Sequence, residues 1–196
     1  MKKVVSFSGG RTSAYLCKIM IDTYGRDNVD FIYMDTGAEH SKTYEFIRKV
    51  NDEFGLNLVC LRGDFTRPLG AGVGYSVVDI KSLKPDLMPF KAMMSKYGVP
   101  YIGGMFCTDR MKLKPFKKYC DDTYGKKNYE TWLGIRFDEP SRLVGDKNYK
   151  AIKKNLGLDD ESILHMFNTF LLKGSWGLHK THFVNGEEFE DEIFKK

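Results

Sequence analysis

An apolar run, Val4-Val5-Ser6-Phe7, leads straight into Ser8-Gly9-Gly10-Arg11-Thr12-Ser13 and then into Ala14-Tyr15-Leu16-Cys17-Lys18-Ile19-Met20-Ile21. The order reads strand, tight glycine turn, helix, and it limits the possible folds more than any other feature. Paired glycines permit backbone angles that other residues avoid and let the main chain approach a ligand closely. The N–H groups opening a helix attract anions, and the helix dipole adds to that attraction. Ser8, Thr12 and Ser13 add hydroxyls and Arg11 a permanent positive charge, so the loop reads as a phosphate cradle. It matches neither G-x-x-x-x-G-K-[ST] nor G-x-G-x-x-G. The plainer reading is a connecting turn.

The same rhythm continues. Asp30 to Met34 reads as a second strand, and Ser41 is placed to cap a helix running through Tyr44, Phe46, Ile47 and Val50 to Phe54, closed by Gly55. Leu56 to Leu61 reads as a third strand, and βαβαβ order argues for a parallel sheet flanked by helices. Further on, a short strand is expected at Tyr75 to Ile80 and a helix at Pro89 to Tyr97. Pro115 starts or kinks a helix reaching Tyr124, and Tyr129 to Ile135 is β-like. Asp159 is placed to cap a helix carrying Ile163, Leu164, Phe167 and Phe170, and Asn185-Gly186 signals a hairpin. Any boundary falls in polar Val144 to Lys150. Residues 1–145 are expected to form a nucleotide-binding domain. Residues 146–196 are expected to be a helical extension with a β-hairpin, packed on it.

A chain of 196 residues can bury a full core, and its formal charge of +5 suits an anionic small ligand or nucleic acid without choosing between them. The short apolar stretch after Met1-Lys2-Lys3 is too brief for a signal peptide, and no run reaches membrane-spanning length. A cytoplasmic protein is expected. Cys17, Cys60, Cys107 and Cys120 lack zinc or iron–sulfur spacing. Cys17 and Cys60 lie in apolar runs and read as buried hydrophobes. His179 and His182 have no evident third metal ligand, and His40 reads as a surface residue or a base. Trp132 and Trp176 read as core anchors.

Open α/β sheets bind ligands beyond the carboxyl ends of their strands. Three motifs sit there. Asp35-Thr36-Gly37-Ala38-Glu39 follows the second strand, and Asp35 is a candidate for Mg²⁺ or a ribose hydroxyl, or simply a turn aspartate. Phe106-Cys107-Thr108-Asp109-Arg110-Met111-Lys112-Leu113-Lys114 clusters three cations before a helix, suited to phosphate or sulfate, or to a solvated face. Gly134-Ile135-Arg136-Phe137-Asp138-Glu139-Pro140-Ser141-Arg142 closes a strand, with Arg136 aimed at the cleft if Ile135 packs inward. Its plainer reading is a surface turn.

In this order the four stretches resemble those of the phosphoadenosine phosphosulfate (PAPS) reductase-like family of the adenine nucleotide alpha-hydrolase superfamily. Its members carry S-G-G-[KR]-[DT]-S, D-T-G-x-E, C-T-x-x-x-K and G-x-R-x-D-E-x-x-R. The resemblance spans about Lys3 to Arg142, and Ser6 to Tyr15 looks most like small members encoded by phages and mobile elements. It implies a Rossmann-like α/β fold with a five-stranded parallel sheet. It further implies an adenine nucleotide (ATP, or PAPS or adenylylsulfate) held by Ser8, Gly9, Gly10, Arg11, Thr12, Ser13, Asp35, Thr36, Gly37, Arg110, Arg136 and Arg142. Arg11, Lys112 and Arg136 would stabilise charge during attack at the α-phosphate. Mg²⁺ would come with the nucleotide, held mainly by phosphates and water.

The chain departs from the family's reductases near its C-terminus. Where they have Glu-Cys-Gly-Leu-His, it has Ser175-Trp176-Gly177-Leu178-His179, and indole is no sulfur nucleophile. Cys107, beside Arg110 and Lys112, is the cysteine within a site motif; a packed loop residue is the favoured reading. The leading expectation is adenylyl transfer or pyrophosphate release with an unidentified acceptor. Alternatives are a PAPS or adenylylsulfate reductase served by an external thiol, and a nucleotide sensor or DNA-modification accessory protein. DNA, a protein or a second copy of the chain are the further partners left open, and no membrane is expected.

Overall fold

The computed structural model describes residues 1–100, 106–136, 172–173 and 178–184, the backbone alone being described at 135–136, 172–173 and 178–184. The chain forms two compact units, Met1–Val29 with Lys127–Lys196, and Asp30–Lys126. The hairpin at Asn185-Gly186, the helix from Asp159, the stretch from Val144 to Lys150, Trp176 and Arg142 lie outside the described residues.

In the first unit, β1 (Lys2–Phe7) runs into α1 (Arg11–Tyr24). Strand β5 (Tyr129–Arg136) lies parallel to β1, with Val4 opposite Thr131 and Val5 opposite Trp132. β7 (Leu178–Val184) lies parallel to β5, and β6 (Leu172–Lys173) pairs antiparallel with β7. Helix α1 buries Ala14, Leu16, Cys17 and Met20, a helical spacing that gives it one apolar face. It packs on β1 and β5. Trp132 is fully buried and meets Tyr24 edge-on at 5.8 Å between ring centroids, the expected core anchor. Gly25, at φ 80°, ends α1 by donating its N–H to the Ile21 carbonyl.

In the second unit, β2 (Val29–Met34) and β3 (Val59–Asp64) are parallel, and β4 (Gly74–Val78) pairs antiparallel with β3. Across the two units, three strands in one group and two in the other are parallel, and each group carries an antiparallel strand. The fold class is thus α/β, with a mostly parallel sheet and flanking helices. Helix α2 (Ser41–Phe54) buries Tyr44, Ile47 and Val50 and ends at Gly55 in the left-handed region. Its cap is His40 rather than Ser41: the ring Nδ1 accepts the Lys42 N–H at 3.1 Å. The third strand starts later than Leu56, because Gly55 and Asn57 both take positive φ and turn the chain there. Helix α3 (Met88–Tyr97) has Pro89 in its first turn, as expected, and α4 spans Lys114–Tyr124.

Before α4 the chain is already helical. Thr108–Leu113 forms a π-helix, closed by the Lys114 N–H on the Asp109 carbonyl. Pro115 has no N–H to give, so a regular α-turn would leave the Met111 carbonyl without its helical donor. A widened turn upstream accommodates that loss. Pro115 therefore lies within a longer helical run instead of opening one.

Candidate functional site

The first unit delivers the serine–glycine loop. Gly9 takes φ 78°, a conformation glycine reaches without strain. Gly10 is the N-cap of α1 in extended conformation, with no side-chain hydrogen bond to the cap and no acidic residue in the first turn. The positive end of α1 is therefore left to a ligand's charge instead of to a carboxylate. Ser13 is 2% exposed and braces the turn: its Oγ donates to the Gly10 carbonyl at 2.9 Å and accepts the Ser8 N–H at 3.2 Å. With its hydrogen directed to Gly10, Ser13 Oγ takes the Ser8 hydroxyl as donor in their 2.9 Å contact. Ser13 thus shapes the loop from within, whereas Ser8, Gly10 and Arg11 are exposed and Thr12 is half-buried.

The fourth motif meets the first here. A Cβ on Gly134 would stand 3.1 Å from Ser13 Cα, 3.2 Å from Ser13 N and 3.2 Å from the Thr12 carbonyl. Glycine lets β5 lie against the first turn of α1. Arg136 follows two residues later, with its backbone opposite Val184.

In the second unit, Asp35 leaves the end of β2 and is wholly buried. Its Oδ1 accepts the Gly37 N–H and the Tyr44 hydroxyl, each at 2.9 Å, and its Oδ2 accepts Arg62 Nε at 2.7 Å. The carboxylate is occupied by the protein itself. These bonds fit the turn aspartate that was the alternative to a Mg²⁺ or ribose contact. Among the described residues no cluster of three His, Cys, Asp or Glu is placed to hold a metal. Thr36 and Gly37 are buried in the same turn, and the Thr36 hydroxyl accepts the Ala38 N–H at 3.3 Å. Burial, and then the hydrogen bond to the Asp35 carboxylate, push the Tyr44 phenol upward. Tyr44 and Arg62 are the residues that sequence reasoning missed. Their sole signal was a tyrosine on a helix face and an arginine near a strand end.

The third motif joins this turn. Lys112 Nζ lies 3.6 Å from Glu39 Oε1, both partly exposed. Arg110 lays its guanidinium 4.5 Å from the Tyr97 ring centroid and 3.5 Å from the Asp109 carboxylate, which also takes Lys114 at 2.6 Å. The three cations are thus distributed among an aromatic face and two acids.

None of the chain's cysteines stands as an open nucleophile. Cys17, Cys60 and Cys120 are buried, and burial raises all three thiols, Cys60 to about 12. Cys107 is half-buried against the cluster of Phe65, Val73, Met93 and Met111, the packed residue favoured from sequence.

Fold and loop together define an α/β protein whose first strand feeds a glycine turn into an uncapped helix N-terminus. Residues 2–66, which hold the first two motifs, match the model of the phosphoadenosine phosphosulfate reductase domain family. An uncharacterized nin region protein of Escherichia phage lambda is 48% identical over 169 residues, covering 84% of this chain and 58% of the phage protein. Through residues 2–66 the chain is similar to the PAPS reductase-like family, and it has a relative in a phage. Two uncharacterized proteins of Methanocaldococcus jannaschii are 25% identical over 68% of this chain and 27% identical over 58%. The chain spans 58% of the phage relative's length and 22% and 21% of the archaeal ones. Among solved structures, PAPS reductase from Candida auris in its phosphate complex aligns at a TM-score of 0.41 and 16% identity, covering 69% of this chain and 55% of that one. No helix among the described residues is long and apolar enough to cross a membrane.

Proposed function

We propose that this chain binds an adenine nucleotide with the loop Ser8 to Ser13 and acts on it at the α-phosphate, by adenylyl transfer or pyrophosphate release. The observation that carries the reading is the N-terminus of α1, capped by Gly10 with no side-chain hydrogen bond and no nearby acid. Its N–H groups and Arg11 favour negative charge that grows on phosphate oxygens in the transition state. Arg136 at the end of β5, with Arg110, Lys112 and Arg142 from the remaining motifs, are the further proposed anion contacts.

A second reading, reduction of PAPS or adenylylsulfate, is favoured by the match of residues 2–66 to the reductase domain. It needs an external thiol, because three thiols are buried and Cys107 is packed among apolar side chains.

A thermal-shift panel of ATP, AMP, adenylylsulfate and PAPS, with and without Mg²⁺, separates the two. A ligand at 100 times its Kd stabilises a fold by about 2.7 kcal/mol, which raises Tm by about 5–10 °C in a chain of this size. The α-phosphate reading expects a shift with ATP and pyrophosphate release thereafter. A shift with PAPS alone favours the reductase reading, and no shift with any nucleotide refutes both.

A further inference from the structure

Arg62 is engaged in a way that neither family motif nor loop chemistry explains. It sits on β3, where Leu61 lies opposite Met34 and the Asp35 N–H donates to the Leu61 carbonyl at 2.8 Å. Its Nε holds Asp35 Oδ2 at 2.7 Å, with the Arg62 side chain 21% exposed and Asp35 at 0%. Its Nη2 is enclosed and has no hydrogen-bond partner among the described residues. An enclosed guanidinium N–H without a partner is unfavourable, a cost that the short Nε–Asp35 ion pair offsets.

What the pair reaches is a backbone chain. Asp35 Oδ1 fixes the Gly37 N–H, and the Gly37 carbonyl in turn accepts the Leu87 N–H at 2.9 Å. Leu87 holds a left-handed conformation, φ 57° and ψ 7°, that disfavours a residue with a branched side chain. Gly37 itself is at φ 68° with Pro89 Cδ 2.7 Å from where a Cβ would stand. One carboxylate therefore holds a turn that only glycine fits at position 37, and through one further hydrogen bond it reaches the strained Leu87. Two residues beyond Gly37 is Glu39, the partner of Lys112.

We infer that Arg62 is a positioning residue: through Asp35 it sets the conformation of the 35–39 turn and of Leu87, and so the presentation of the Glu39–Lys112 pair. The effect on nucleotide affinity rests on the proposed function above; the effect on the turn does not. Only Nε is used on Asp35, so a lysine can supply the same single charged donor, which a bidentate site would not allow.

The test compares wild type, Arg62→Gln, Arg62→Lys, Asp35→Asn and the double variant Asp35→Asn/Arg62→Gln by residue-resolved amide hydrogen exchange. The same proteins are titrated with ATP, AMP, adenylylsulfate and PAPS. Arg62→Gln is expected to speed exchange of the Gly37 and Leu87 amides about tenfold or more while the amides of β1 and β5 stay as in wild type. Arg62→Lys should restore most of that protection. The double variant should exchange more slowly than Arg62→Gln alone, because the substituted amide carries no charge to be left unpaired while its carbonyl still accepts the Gly37 N–H. Nucleotide affinity should follow the same order. Unchanged exchange at Gly37 and Leu87 overturns the inference. So does exchange that rises equally in β1 and β5, or a lysine variant no better than glutamine. If wild type binds none of the four nucleotides, the proposed function fails while the exchange data still decide the role of Arg62.

Discussion

The serine–glycine loop and the Asp35–Glu39 turn both follow parallel strands and both read as ligand motifs, yet their polar groups face opposite ways. In the loop, one buried hydroxyl, Ser13, braces the turn from within, and Ser8, Gly10 and Arg11 remain exposed around an uncapped helix end. In the turn, the carboxylate that looked like a ligand is wholly buried and takes three donors from the protein. The lesson is that a motif at a strand end can act by contact or by construction. Whether its donors and acceptors find partners within the fold distinguishes the two.

The contrast makes separable predictions, because construction residues move stability and contact residues move affinity. Asp35→Ala should produce the largest effect, about 3–5 kcal/mol lost in denaturant unfolding, since it strands the Arg62 guanidinium beside a void. A loss under about 1 kcal/mol would place Asp35 with the contact residues instead. Gly134→Val should cost about 1–3 kcal/mol by overpacking the first turn of α1. Because Ser13 and Thr12 must shift, calorimetric titration should show nucleotide affinity falling by more than the stability loss alone predicts. Equal affinity in that variant would break the link between β5 and the loop. Tyr44→Phe removes one donor from Asp35 and should cost about 1–2 kcal/mol in thermal unfolding. A double-mutant cycle with Arg62→Gln should then be non-additive, since both act on one carboxylate. The smallest stability effect belongs to Lys112→Ala, under about 0.5 kcal/mol, because its pairing with Glu39 is long and partly exposed. If Lys112 contacts nucleotide, its Kd should nonetheless rise severalfold, and a Tm change without a Kd change would return it to the surface.

Much of the fold could be read from local pattern. The first strand, α1, the second strand, α2 with its Gly55 stop, the Pro89 helix and the strand from Tyr129 all occur where the apolar spacing and punctuation placed them. The third strand was misplaced toward Leu56 because the positive φ of Asn57 is not marked by an obvious turn residue pair. The π-helix of Thr108–Leu113 was also illegible, since Pro115 signals a helix start as strongly as it signals a disturbed turn.

By itself the sequence determined the strand–glycine–helix junction, the resemblance carried by its motifs, and the packing of Cys17, Cys60 and Cys107, because each depends on neighbours a few residues apart or on simple apolar burial. Tertiary structure alone decided what the motif residues meet. Asp35 meets Arg62 because β2 and β3 lie side by side, and Gly134 meets Ser13 because β5 lies beside β1. Such pairings span 27 and about 120 residues of chain. No local propensity encodes them: they follow from which strands become neighbours, and that is settled when the strands bury their apolar faces together.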